Sequence, residues 1–196
     1  MSQIVRTWLG FAAIGAGLVH LAMVISSPLP IAAVVLLLGV SEIAWGVAAF
    51  ARDSVPAPRV AGAVAIAPVL AWSLLVVVAT MLDTASLAAS LPLLPMAIAS
   101  ILELFVAAVL ATHLRRARNS GGTTTTPALP SAGRYLVGLL AGALVVGALT
   151  TPALAATEAG RYAQPHGSHD ADVNPADNSG GSGTLTGIRP PEHGDH

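Results

Sequence analysis

The sequence predicts an all-α integral membrane protein, in which an up-and-down four-helix bundle is followed by a fifth transmembrane helix and a disordered C-terminal tail. Three observations predict it. Hydrophobic residues make up 54% of the chain and charged residues 10%, with a mean hydropathy of +0.73, too apolar for a soluble domain of this length. Five apolar runs are long enough to cross about 30 Å of hydrocarbon at about 1.5 Å per residue. The arginines collect in alternate connections, as in a chain that crosses a bilayer repeatedly.

The first run, Trp8 to Ile25, follows Arg6 and ends in "SSPLP". That segment offers no small-residue cleavage site, so the run is an anchor rather than a removable signal. The second, Ile31 to Phe50, is joined through this short turn and is therefore its antiparallel neighbour. The third, Val60 to Leu82, contains Pro68, whose missing N–H predicts a kink. The fourth, Leu93 to Thr112, has Pro95 in its first turn, where proline costs little. Residues 1–114 thus form one compact four-helix unit.

"RRARNSGGTTTTPALPSAGR", residues 115–134, reads as a flexible cytoplasmic linker. The fifth run, 135–156, has two readings: an intact helix appended to a complete bundle, or an internal signal-like segment cleaved after Ala155 in "ALA". Its Gly138 and Gly142 form a GxxxG face suited to a homo-oligomer in the bilayer. The tail, 157–196, is polar and glycine-rich and cannot bury enough apolar area to fold alone.

Arg6, Arg52, Arg59, Arg115, Arg116, Arg118 and Arg134 fall on one side of the five runs. The positive-inside rule then predicts a multi-pass plasma-membrane protein with a cytoplasmic N-terminus and an extracytoplasmic C-terminus. The chain has no cysteine, which excludes disulfides, iron–sulfur clusters, thiolate metal sites and cysteine nucleophiles. "GAG" at 15–17 lies inside a span and lacks the context of a phosphate-cradling loop. A bis-histidine haem would need two histidines at one depth. The arginine cluster in "HLRRAR" fits anionic lipid better than nucleic acid, and His113 beside it marks the cytoplasmic interface.

Three ionisable residues interrupt the spans: His20, Glu42 and Glu103. A charged group at the bilayer centre costs about 2.5–3.5 kcal/mol even on the lenient insertion scale, so such side chains should face protein or water. Residues three, four and seven positions away share a helix face. Those neighbours are small: Ala13, Ala16 and Gly17; Gly39, Gly46 and Ala49; Ala99, Ser100 and Ala107. Close helix packing in membranes uses such residues, so all three polar groups are expected to point into the bundle. Counted from the outer ends of their spans, the glutamates lie about 15 Å deep and His20 about 9 Å. The trio can bind a divalent metal, pass protons, hold a polar headgroup or quinone-like ligand, or share a proton in a neutral cluster that ties helices together.

Met23, Met81 and Met96 fall at the outer ends of the first, third and fourth spans. As thioethers they are candidate soft-ion ligands at an outer mouth, or gap fillers in the core. Trp45 and Trp72 read as interface anchors or core. The tail carries two HGxH elements, His166 with His169 and His193 with His196, and Asp170, Glu192 and Asp195 stand near them. Mobile imidazole pairs of this kind can capture Cu(II), Ni(II) or Zn(II), although no four-ligand spacing is present.

"GLVHL" in the first span and "GVSEIAWGVAAF" in the second, followed by arginine and a third apolar span, resemble DoxX-like small four-helix membrane proteins over residues 1–110. The resemblance implies quinone-linked redox chemistry at His20 and Glu42. The fifth span and the tail depart from that pattern, and the whole chain looks like small actinobacterial membrane proteins. The expected function is non-enzymatic transition-metal handling through an extracytoplasmic tail. The alternatives are a quinone-linked redox accessory subunit and a purely structural membrane protein.

Overall fold

The computed structural model describes residues 1–83, 92–119 and 131–163. All regular structure among them is helical: α1 (Gln3–Met23), α2 (Leu29–Ala51), α3 (Pro58–Met81), α4 (Leu93–Asn119), α5 (Ala132–Ala155) and the short α6 (Glu158–Tyr162). The first five are long and apolar enough to cross a membrane. In α2 to α5 no strong apolar stripe stands out. That is the expected consequence of lipid on the outer face and small residues on the inner one.

Local sequence sets the helix ends. The Ser2 hydroxyl accepts from the Val5 amide and caps α1, while α2 has Pro30 in its first turn and α3 begins on Pro58, where the absent N–H is no loss. α4 outlasts its apolar run and continues through the arginine cluster to Asn119, so the expected linker start at 115 is corrected. Arg116 and Arg118 in that last turn complement the negative end of the helix dipole. α3 continues through Pro68 as one helix. Beyond α5, where disorder was expected from residue 157, Thr157 is buried and caps α6.

α1 is the central helix. It packs against α2, α4 and α5, while α3 packs on α4, and α6 folds back onto α1 and α5. α2 and α3, although consecutive, are not packed face to face. The end of α2 and the segment leading into α3 are tied instead by Trp45 Nε1 donating to the Pro56 carbonyl at 2.9 Å.

The α1–α2 contact rests on glycine. A Cβ on Gly17 would lie 2.7 Å from the Gly39 carbonyl oxygen, and one on Gly39 would lie 2.8 Å from that of Gly17. Seven residues away, Gly10 and Gly46 repeat the arrangement. The pairs match in reverse order, so the helices run antiparallel, close enough for backbone to touch backbone.

α5 runs parallel to α1: Gly138 meets Ile4, Gly142 meets Trp8 and Phe11, and Gly15 meets Val146 and Thr150. Trp8 Nε1 donates to the Gly138 carbonyl at 2.8 Å. α5 is therefore part of the bundle rather than an appendage. Gly138 and Gly142, expected to face a second copy, are occupied by α1 of the same chain.

Candidate functional site

The three ionisable residues of the spans converge. His20 Nδ1 lies 2.8 Å from Glu42 Oε2, and His20 Nε2 lies 3.7 Å from Glu103 Oε1. One ligand atom from each residue falls within 4.8 Å of the others, and all three residues are buried. Each comes from a different helix: α1, α2 and α4.

The backbone dictates this meeting. His20 stands three residues beyond Gly17 and Glu42 three beyond Gly39, so the glycine crossing brings their helices together beside them. Helical side chains tilt toward their own N-terminus. On α1 that carries His20 toward the N-terminal side of the bundle. On α2 and α4, which run the other way, it carries the glutamates outward. The tilt closes the depth difference of about one turn that the spacing predicts.

Hydrogen bonding within the cluster is incomplete. The imidazole bridges two carboxyl groups through opposite ring nitrogens, but only the Glu42 side is at hydrogen-bond distance. Among the described residues, His20 Nε2, both Glu103 oxygens and Ser100 Oγ are buried beyond hydrogen-bond distance of any partner, His20 Nε2 and Glu103 Oε1 facing each other at 3.7 Å. Ser100 shares the α4 face of Glu103, one turn outward. Unpaired buried groups are costly, and an unpaired carboxylate in the bilayer interior most of all. The arrangement calls for a proton, an ion or a ligand headgroup to complete it.

The donor set can be tested against a metal ion. Zinc bonds of about 2.0–2.1 Å in a tetrahedron set neighbouring ligand atoms about 3.3–3.4 Å apart. The 3.7 Å between His20 Nε2 and Glu103 Oε1 fits within a few tenths of an ångström. Glu42 sits behind the ring, where a carboxylate accepting from Nδ1–H fixes the tautomer and orients the imidazole. An ion placed there would meet two direct ligands and one orienting carboxylate among the described residues.

A cavity of about 220 Å³ adjoins the cluster on the N-terminal side. Ala13 and Ala16, Ser41, Glu42 and Trp45, Val60 and Val64, and Glu103 and Val106 are in its wall, so it fills the gap that α2 and α3 leave. Sequence reasoning took Trp45 for an anchor or core residue and did not foresee this role. Its position one turn from Glu42 on the same face was the available signal.

The methionines separate. Met23 and Met96 are buried in one apolar cluster on the outer side of the cluster of polar residues. Met81 is 83% exposed at the end of peripheral α3, so the expected three-thioether mouth does not assemble. Trp72 lies partly buried against the core. Ala155 closes α5, next to fully buried Ala153, with Gly160 of α6 folded against it. His166, His169, His193 and His196 lie outside the described residues, as does the middle of the expected linker. No protein-family model, curated protein or solved structure matches the chain.

Proposed function

We propose that this multi-pass membrane protein handles a transition-metal cation, copper, nickel or zinc, at the His20–Glu42–Glu103 centre. The observation that carries the reading is the pair of buried ligand atoms, His20 Nε2 and Glu103 Oε1, which face each other at 3.7 Å without a hydrogen bond. In this reading Glu42 orients the ring, Nε2 and Glu103 hold the ion, and the tail histidines His166, His169, His193 and His196 capture it at the extracytoplasmic surface. Charge favours a divalent cation: two carboxylates and a neutral imidazole cancel its charge, whereas the metal-free centre must hold protons to approach neutrality. Metal uptake therefore releases protons. The arginine distribution supports a cytoplasmic N-terminus and a plasma-membrane location.

The test is the metal content of the full-length protein in detergent after equilibration with Cu(II), Ni(II) or Zn(II) and removal of free ion. One intramembrane ion per chain is expected in the variant lacking the four tail histidines, and none once Glu103→Gln is added. Equal retention with and without Glu103→Gln refutes the buried site. Loss of all binding on removal of the tail histidines assigns metal to the tail alone.

The cavity favours a second reading, the quinone-linked redox role that the DoxX-like resemblance implies. A ring entering from the lipid would set an oxygen against Glu42 or Glu103, with His20 as proton carrier. Organic extraction of the purified protein should then yield a stoichiometric quinone that is absent from the Glu42→Gln variant.

A further inference from the structure

We propose that Arg59 and Arg118 form a discrete site for the phosphate of an anionic phospholipid, at the end of the bundle where α3 begins and α4 finishes. The site is separate from the His20 centre and independent of what that centre binds. Arg59 is the second residue of α3, and Arg118 stands in the last turn of α4. With Leu114 they line a pocket of about 280 Å³. Leu114 and Arg118, four residues apart, share one face of α4. One turn deeper the two helices meet, where a Cβ on Gly62 would lie 3.9 Å from Leu110 Cβ. The pocket is therefore the mouth of the crevice between two packed helices.

The chain itself does not compensate its charge. Both arginines are exposed, and among the described residues neither has an ion-pair or hydrogen-bond partner. Asp53, the one acidic residue described at that end, lines a separate pocket with Arg6 and His113. Arg115 and Arg116 add positive charge to the same stretch of α4. Two guanidinium groups on one small pocket repel each other, and an anion between them turns repulsion into two attractions. The planar fork of arginine also matches phosphate oxygens two at a time.

The surroundings favour lipid as the source of that phosphate. From Arg59, Gly62, Ile66 and Leu70 continue along one side of α3 at helical spacing, and Ile66 and Leu70 are exposed. α3 buries almost nothing in the bundle, so acyl chains cover it in a bilayer. A phospholipid whose phosphate sits between the arginines lays its chains on that strip, whereas free phosphate gains the charge contacts alone. A choline headgroup would bring its own cation against the arginines, so the site favours a headgroup of net negative charge.

The test is native mass spectrometry of the full-length protein in detergent, titrated with phosphatidylglycerol and with phosphatidylcholine of the same acyl chains. The first phosphatidylglycerol should bind at least tenfold more tightly than phosphatidylcholine. One basic residue beside an anionic headgroup is worth about fivefold in affinity, so Arg59→Gln and Arg118→Gln should each lose about that factor and the double variant about 25-fold. Arg134→Gln removes the same charge at the start of α5, outside the pocket, and should change binding by less than about twofold. All three positions are exposed, so folding is not at stake. Equal binding of the two lipids overturns the proposal, as does phosphatidylglycerol binding that survives the double substitution. Equal losses from all three single substitutions also overturn it, because they mean diffuse attraction rather than a site. Inorganic phosphate at millimolar concentration should leave the first phosphatidylglycerol bound; displacement assigns the pocket to free phosphate and refutes the lipid as its occupant.

Discussion

Replacing Gly17 by alanine places a methyl carbon 2.7 Å from the Gly39 carbonyl oxygen, 2.8 Å from Ile43 Cγ1 and 3.2 Å from Glu42 Cβ. The isoleucine can rotate, but a helix carbonyl cannot. Ordinary contact begins at 3.4 Å, so the helices must separate locally by about 3.4 − 2.7 = 0.7 Å. His20 and Glu42 are one turn from the crossing, and their 2.8 Å contact would open toward about 3.5 Å, the edge of hydrogen bonding. Overpacking costs about 1–3 kcal/mol, and a side-chain hydrogen bond between membrane helices contributes about 0.6–1.7 kcal/mol. Alanine returns up to about 1 kcal/mol of helix propensity. The expected net loss is about 2 kcal/mol, read by reversible unfolding in detergent. Gly147→Ala is the internal control: nothing lies within 4 Å of its added Cβ, so it should be neutral or mildly stabilising. In a Glu42→Leu background, Gly17→Ala should cost about 1 kcal/mol less, because the contact it disturbs is already gone. A Gly17→Ala protein as stable as the Gly147→Ala control refutes the claim that backbone contact sets the His20–Glu42 distance.

Met23 and Met81 should separate sharply in the same assay. Met23→Ala empties a fully buried site and should cost about 2–5 kcal/mol, whereas Met81→Ala, at an 83% exposed position, should stay within about 0.5 kcal/mol. Gly160→Ala would put a methyl carbon 2.3 Å from the Leu154 carbonyl, so α6 should undock. Limited proteolysis should then cut between 155 and 163 in the variant before the wild type, with α1 to α5 remaining intact. Since the chain has no cysteine, single substitutions report access directly. A thiol reagent soluble in lipid should label Ala61→Cys in the cavity wall much faster than Ala99→Cys in the fully buried core, and equal rates would deny the cavity an opening.

His20, Glu42 and Glu103 were legible because membrane physics is strict: an ionisable group in an apolar span must find a partner, and each had a small-residue face pointing toward one. Their meeting at one level was less legible. Counting residues places α-carbons, and the outcome depends on side-chain tilt in helices of opposite direction. The role of α5 was misjudged from its distance in sequence. Gly138 and Gly142 face Ile4, Trp8 and Phe11 of α1, and a GxxxG face carries no mark of whether its partner is internal or a second copy. The cavity was illegible for a related reason. It exists because α2 and α3 stand apart while each holds another helix, and a sequence this uniform in alanine, valine and leucine does not distinguish neighbours in the chain from neighbours in space.

The two sides of the polar centre differ in what a ligand would have to cross. Outward from His20 and Glu103, helix order places Met23, Met96 and Ala99, all buried in the apolar core. On the opposite side lies the cavity, with Trp45 and the start of α3 in its wall. α5 runs parallel to α1, so the chain reaches residue 156 at the end of the bundle where α1 also finishes, on the closed side. An ion arriving at that end of the bundle would therefore meet the Met23–Met96 layer before Glu103. A lipid-soluble ligand coming between α2 and α3 meets no such layer. Entry from that end thus requires the outer packing of α1 and α4 to open, while entry between α2 and α3 requires only the existing gap. That difference in required motion follows from the central position of α1: the helix that supplies His20 is also held by α2, α4 and α5, so opening its outer turn means parting it from more than one neighbour.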